Sequence, residues 1–264
     1  MASRTKQKEE ARARRLAEEG AQAERRARMR RLRGIAGIVV AAVVVVVVAI
    51  AISSGGGGSV SGLKTGGAAS QTVASVSQLL GGAPQSGAVL GNPSAPVTMT
   101  YYGDLECPIC RAFTLDGGFP QLVAGEVRQG KVKVQYRAFQ TATRNPQTFE
   151  TQQVAALAAG KQDKFWDYAE LFYREQGQED TGYVTNAYLT GLAQQVPGLN
   201  LSEWQSARND PSLVSQVQSD VAAGTAANVQ GTPTLIFSGP KGTASPPQGV
   251  PSYSELQQAI NQVS

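Results

Sequence analysis

The ten residues Asp104-Leu105-Glu106-Cys107-Pro108-Ile109-Cys110-Arg111-Ala112-Phe113 decide how this chain is read, and they hold both of its cysteines. Just before them, residues 97–102 read VTMTYY, a run of β-branched and aromatic side chains entered after Pro93 and Pro96. That pattern predicts a buried strand, which Gly103 ends. After Cys107 the sequence is compatible with a helix until Gly117, Gly118 and Pro120 bend or interrupt it. Cys107 is thereby set at a helix N-terminus, where free backbone N–H groups and the positive end of the helix dipole favour a thiolate over a thiol. Pro108 suits the first helical turn, because its missing N–H has no partner to lose there. Cys110 falls one turn along, close enough to bridge to Cys107 or to attack a mixed disulfide formed on it.

The two-residue spacing alone also serves zinc knuckles and ordinary structural bridges. Composition narrows the choice. The chain has no histidine and no third cysteine, so it lacks an ordinary zinc ligand set and excludes Ser-His-Asp and Cys-His catalysis. No metal and no cofactor are expected. A static structural disulfide stays open, although a loop this short restrains the unfolded state little. A redox-active pair is the favoured reading.

Downstream, residues 132–139 alternate with period two after the turn at Gly130 and predict a second strand. A helical stretch is expected at about residues 148–228. In it Phe165, Tyr168, Ala169, Leu171 and Phe172 make a broad apolar face that reads as core, and Asp210-Pro211 reads as an N-cap followed by proline at the first helical position. Gly231-Thr232-Pro233 then precedes a strand at residues 234–237. Ser252 and Glu255 have capping-box spacing at the start of a final helix. The expected order is strand, cysteine helix, strand, helical insert, proline strand, helix.

The N-terminal third has a different character. Residues 1–33 carry a net charge of +7, against −3 for the remainder, so the basic pI of about 9.1 describes a tail. The mildly acidic body, with its scattered Lys and Arg, gives no support to nucleic-acid binding. Residues 34–52 are uncharged and include six consecutive valines. As a helix they would span roughly 28 Å, the thickness of a bilayer core. Six arginines crowd the N-terminal side of this run, whereas Lys64 is the nearest charge beyond it, which sets a cytoplasmic N-terminus. A cleaved signal peptide is the competing reading, with Ala49-Ile50-Ala51 as its small-residue site. In either case the rest of the chain is exported. Residues 53–87 hold 18 Gly or Ser and one charge, and are expected to be a flexible linker, within which Gln71 to Leu80 give a poor signal for a short helix or strand. The expected domains are therefore a cytoplasmic basic tail at 1–33, a transmembrane helix at 34–52, the linker at 53–87 and a folded domain at 88–264.

The motifs in the folded part resemble the DsbA-like branch of the thioredoxin-fold oxidoreductases. The matching pieces are Gly91-Asn92-Pro93-Ser94-Ala95-Pro96-Val97, the cysteine stretch from Asp104 to Phe113, Gln162-Asp163-Lys164-Phe165-Trp166, and Val229-Gln230-Gly231-Thr232-Pro233-Thr234. They occur in the family's order across nearly all of residues 88–264. The resemblance implies an α/β thioredoxin fold with an inserted helical domain and a cis bond at Thr232-Pro233. It also implies dithiol-disulfide exchange through Cys107 and Cys110, with Pro108 and Ile109 supporting the motif and Thr232 and Pro233 bordering a substrate. By the same resemblance, reduced exported proteins are the substrates and a quinone-linked membrane protein of the DsbB or vitamin K epoxide reductase type is the recycling partner. The domain would then be extracytoplasmic, held to the cell membrane by its own single anchor. Two departures concern redox strength. Many relatives carry His between the cysteines where this chain has Ile109, and many carry a carboxylate six residues before the first cysteine where this chain has Tyr101. Asp104 and Glu106 are expected to oppose a Cys107 thiolate. A reductase, an isomerase and a tethered binding module with a structural disulfide remain the alternatives.

Overall fold

The computed structural model describes residues 62–264. The basic tail and the valine-rich run expected to span a membrane lie outside the described residues. Among those described, no helix is long and apolar enough to cross a bilayer.

A six-stranded sheet forms the frame. Its strands are β1 (Gln85–Ser86), β2 (Val89–Leu90), β3 (Val97–Gly103), β4 (Val132–Ala138), β5 (Thr234–Gly239) and β6 (Gly242–Ala244), in the order β1-β2-β4-β3-β5-β6. Strand β3 lies parallel to β4 and antiparallel to β5, pairing Tyr101 with Tyr136 on one side and with Leu235 on the other. The period-two reading of β4 is visible in its burial: Val132, Val134, Tyr136 and Ala138 are buried while Lys133, Gln135 and Arg137 are half-exposed. Strand β3 has neighbours on both edges, and Tyr102 is buried as well as Val97, Met99 and Tyr101. Its apolar run is therefore nearly continuous, as expected of a strand covered on both faces.

Between β3 and β4 run α2 (Pro108–Leu115), the short α3 (Phe119–Leu122) and one π-helical turn (Val123–Val127). Between β4 and β5 lie α4 (Pro146–Gly160), α5 (Phe165–Glu175), α6 (Asn186–Gln195), α7 (Leu201–Ala207) and α8 (Pro211–Ala226). Helix α4 starts where Asn145 accepts from the N–H groups of Gln147 and Thr148 with Pro146 at the first position. Its alanines, from Ala155 to Ala159, let neighbouring helices approach closely. In α5 every residue except Arg174 is buried, including Trp166, which stacks on Phe119 and donates its indole N–H to the Ala88 carbonyl. The final helix α9 (Tyr253–Val263) opens with a complete Ser252–Glu255 capping box.

One expectation is corrected. Within the stretch expected to be a flexible linker, where Gln71 to Leu80 give only a poor helix or strand signal, Gly66–Leu80 form a helix, α1, that packs against α5. Thr72, Val76 and Leu80 are buried in a stripe at four-residue spacing. Two long-range contacts tie its ends: the Lys64 N–H donates to Glu175 at 2.8 Å, and Arg128 donates to the carbonyls of Gln78 and Leu79. The Gly/Ser composition predicted a poor helix in isolation, but packing of a narrow apolar stripe supplies what propensity does not. The folded unit therefore begins well before residue 88.

Candidate functional site

Cys107 is the N-cap of α2, with extended backbone (φ −69°, ψ 118°) and Pro108 at the first helical position. Its Sγ accepts from the Cys110 N–H at 3.3 Å, one of the four donors that a helix start leaves without a backbone partner. The thiol in turn donates to the Thr232 carbonyl at 3.3 Å. The Thr232-Pro233 bond is cis, and the hydrogen bond to the Thr232 carbonyl places the loop before β5 against the first cysteine. Thus Cys107, Cys110, Thr232 and Pro233, far apart in sequence, belong to one small region. Pro108 and Ile109 are exposed beside them, and among the described residues Ile109 is one of the few large apolar side chains left to solvent.

The two thiols, both free, are held in opposite states. Hydrogen bonding to Cys110 lowers the Cys107 thiol to about 7, against an opposing effect of burial and with further help from the Thr232 hydroxyl and the helix-start N–H groups. Burial pushes Cys110 well above the ordinary thiol range, and the neighbouring Cys107 adds to the rise. Cys107 is thus the group able to be a thiolate near neutral pH, and Cys110 remains a thiol.

Beneath Cys110 lies a floor of buried phenols. The Tyr101 hydroxyl is 3.3 Å from Thr114 Oγ1 and 3.4 Å from the Tyr173 hydroxyl, while Tyr136 donates to Gln153 at 3.2 Å. Burial raises all three phenols well above their usual range, and a Cys110 charge would raise them further. Tyr101 stands where a carboxylate was the alternative. The position contributes a hydroxyl held against Thr114 and Tyr173 and adds no carboxylate.

Asp104 and Glu106 are arranged differently from expectation. Both are buried. Asp104 accepts from the N–H groups of Thr141, Ala142 and Thr143. Glu106 is held above the usual carboxylate range by burial, against help from Thr143. Sequence reasoning also missed Gln176, whose amide donates to the carbonyls of Leu105 and Cys107 at 2.7 and 3.2 Å. It missed Arg111, which donates to the Tyr173 carbonyl at 3.0 Å. Both tie the cysteine loop to the C-terminal end of α5, and no local pattern signals either. Among the described residues, no three or more Cys, Asp or Glu side chains converge as a metal site would require.

Comparison with known proteins agrees with this fold. The chain is 28% identical over 152 residues to disulfide bond formation protein D of Bacillus subtilis, an alignment covering 56% of this chain and 65% of that protein. Two solved structures share the fold. The oxidised BdbD of Bacillus subtilis superposes with a TM-score of 0.57 at 24% identity, covering 68% of this chain and 96% of its own. A thioredoxin-like oxidoreductase from Silicibacter pomeroyi gives 0.54 at 23% identity, covering 70% and 95%. A family model described as thioredoxin matches residues 84–262. With a match of that length over the sheet, both cysteines and the cis-proline loop, this chain belongs to the thioredoxin family.

Proposed function

We propose that the protein is a thiol-disulfide oxidoreductase that forms disulfides in exported proteins through Cys107 and Cys110. The observation that carries this reading is the geometry of the pair: Cys107 caps the helix with its Sγ accepting from the Cys110 N–H and donating to the Thr232 carbonyl, and Cys110 is fully buried one turn away. In the oxidised form, a substrate thiolate attacks Cys107 Sγ, the Cys107–Cys110 bond breaks, and Cys110 leaves and takes a proton. A second substrate thiolate then attacks the substrate sulfur of the mixed disulfide and releases Cys107. The substrate has lost two electrons and two protons. Cys107 is the better leaving group of the pair because its thiolate is the more stable. Thr232 and Pro233 border the attacked sulfur, and an extended substrate strand pairing with backbone groups of this loop would make selection broad.

Reoxidation needs an acceptor for those two electrons, and a quinone-linked membrane protein of the DsbB or vitamin K epoxide reductase type is assigned that role. The uncharged run at residues 34–52 serves as a single anchor that leaves the domain outside the cytoplasm. One observation favours a second reading, as a reductase: a first thiol near 7 matches thioredoxin (about 7) and not DsbA (about 3.5), which is the stronger oxidant.

The test is partner trapping and turnover. Cys110→Ala should accumulate mixed disulfides through Cys107, Cys107→Ala should accumulate none, and the wild-type chain should oxidise a reduced, unfolded protein. Equal trapping by both variants, or by neither, sinks the assignment. Reduction of substrate disulfides at the expense of their formation selects the second reading.

A further inference from the structure

Helices α1, α2 and α5 border a surface cavity of about 360 Å³. Three cations line it: Lys64 just before α1, Arg111 on α2 and Arg174 on α5, with Gln71, Ser75 and Leu115 beside them. The last turn of α5 gathers these cations. Arg111 Nε donates to the Tyr173 carbonyl at 3.0 Å, and Lys64 Nζ donates to the next carbonyl, that of Arg174, at 2.7 Å.

Cations at a helix C-terminus are ordinarily accounted for by the carbonyls there, so the charges have to be compared. The helix end is equivalent to about half a negative charge. Glu175 adds a carboxylate, 3.6 Å from Lys64 Nζ. Glu170 lies 3.5 Å from Arg174 Nη2, but burial raises it to about 8, so it is mostly protonated near neutral pH. Even with Glu170 ionised the cations stay in the majority. The two guanidiniums are also short of acceptors. Among the described residues Arg111 forms no ion pair and its side chain makes only the Nε bond, while Arg174 Nε is buried with no partner. A donor shut away from water without an acceptor is costly, and an anion bound at the same guanidinium offsets that cost.

We propose that this cavity binds a phosphate group, with Arg111 and Arg174 as its principal donors and Lys64 adding charge. The guanidinium fork matches phosphate oxygens two at a time. The volume lies within the roughly 300–1,000 Å³ of small-molecule sites, which leaves room for the carbon body that carries the phosphate, against Ala68 and Leu115. That carrier is a soluble ester or a lipid headgroup.

Titration calorimetry of the full chain in uncharged detergent tests this with three probes: inorganic phosphate, glycerol phosphate and a short-chain phosphatidic acid. At least one should bind saturably, and the tightest of them names the carrier. Arg111→Gln and Arg174→Gln should each weaken that binding about tenfold or more, since each removes charge-assisted bonds. Lys241→Gln, which removes the same charge from an exposed position between β5 and β6, should leave it unchanged. If Arg174→Gln fails to fold for want of a partner to Glu170, the exposed Arg111 decides alone. No saturable binding by any probe, an unchanged affinity in Arg111→Gln, or an equal loss in Lys241→Gln overturns the proposal.

Discussion

The two sulfurs of α2 lie one helical turn apart and face different surroundings. Around Cys107 the wall is polar, with the Cys110 N–H donating to the sulfur and the Thr232 carbonyl accepting from the thiol. Under Cys110 the floor is aromatic, with Tyr101, Tyr136 and Tyr173 all buried and Trp166 and Phe113 packed against Tyr101. The contrast therefore arises from donors and burial, which is why the same residue type is lowered at one position and raised at the other. A pair divided this way has one member that reacts and one that waits.

The largest expected effect comes from breaking the floor. Trp166 stacks on Phe119 and is fully buried, so Trp166→Ala should cost about 3–5 kcal/mol of stability, measured by denaturant unfolding. A loss under about 1 kcal/mol would mean that the floor is not a packed core. Next in size is the contrast itself. At neutral pH in the reduced chain, Cys107 should be alkylated at least about a hundredfold faster than Cys110, with a rate that climbs with pH through a midpoint near 7 as thiolate forms. Comparable rates at the two positions would dissolve the contrast.

A smaller effect probes the helix that carries the floor. Burial raises Glu170 on α5 to about 8 despite Arg174 at 3.5 Å, and one of its oxygens has no partner. Between the ordinary carboxylate value of 4.5 and about 8, the folded chain keeps a proton that the unfolded chain has released. Stability therefore falls as pH rises through that window and levels off above it. Glu170→Gln should remove this contribution to the slope, read from unfolding midpoints across pH. An identical slope in the variant would show that the carboxyl is solvated in the folded state. Smallest of all, Ile109→His places an ionisable group on the exposed side of the first turn and should lower the Cys107 midpoint by less than about one unit. A wild-type midpoint near 3.5 that ignores the new histidine would show that another group controls the thiolate.

The sequence by itself determined what is settled within a few residues. Strand β3, the proline-started helix with Cys107 at its cap, the alternation of β4, the Asp210 and Ser252 caps and the final helix all follow from local hydrogen bonding and side-chain periodicity. These signals read directly because their partners are sequence neighbours. Only the tertiary structure decided that the Gly/Ser-rich stretch contains α1, since its stripe acquires meaning against α5. It also decided what Asp104 and Tyr101 do. Asp104 meets Thr143 across 39 residues, Tyr101 meets Tyr173 across 72, and Thr141 meets Thr232 across 91. Such contacts depend on how the sheet and the helical insert close around the cysteines. Loop closure over those distances leaves no period and no local motif in the chain, so a buried aspartate that organises the loop looks, in sequence, like a charge beside a thiol.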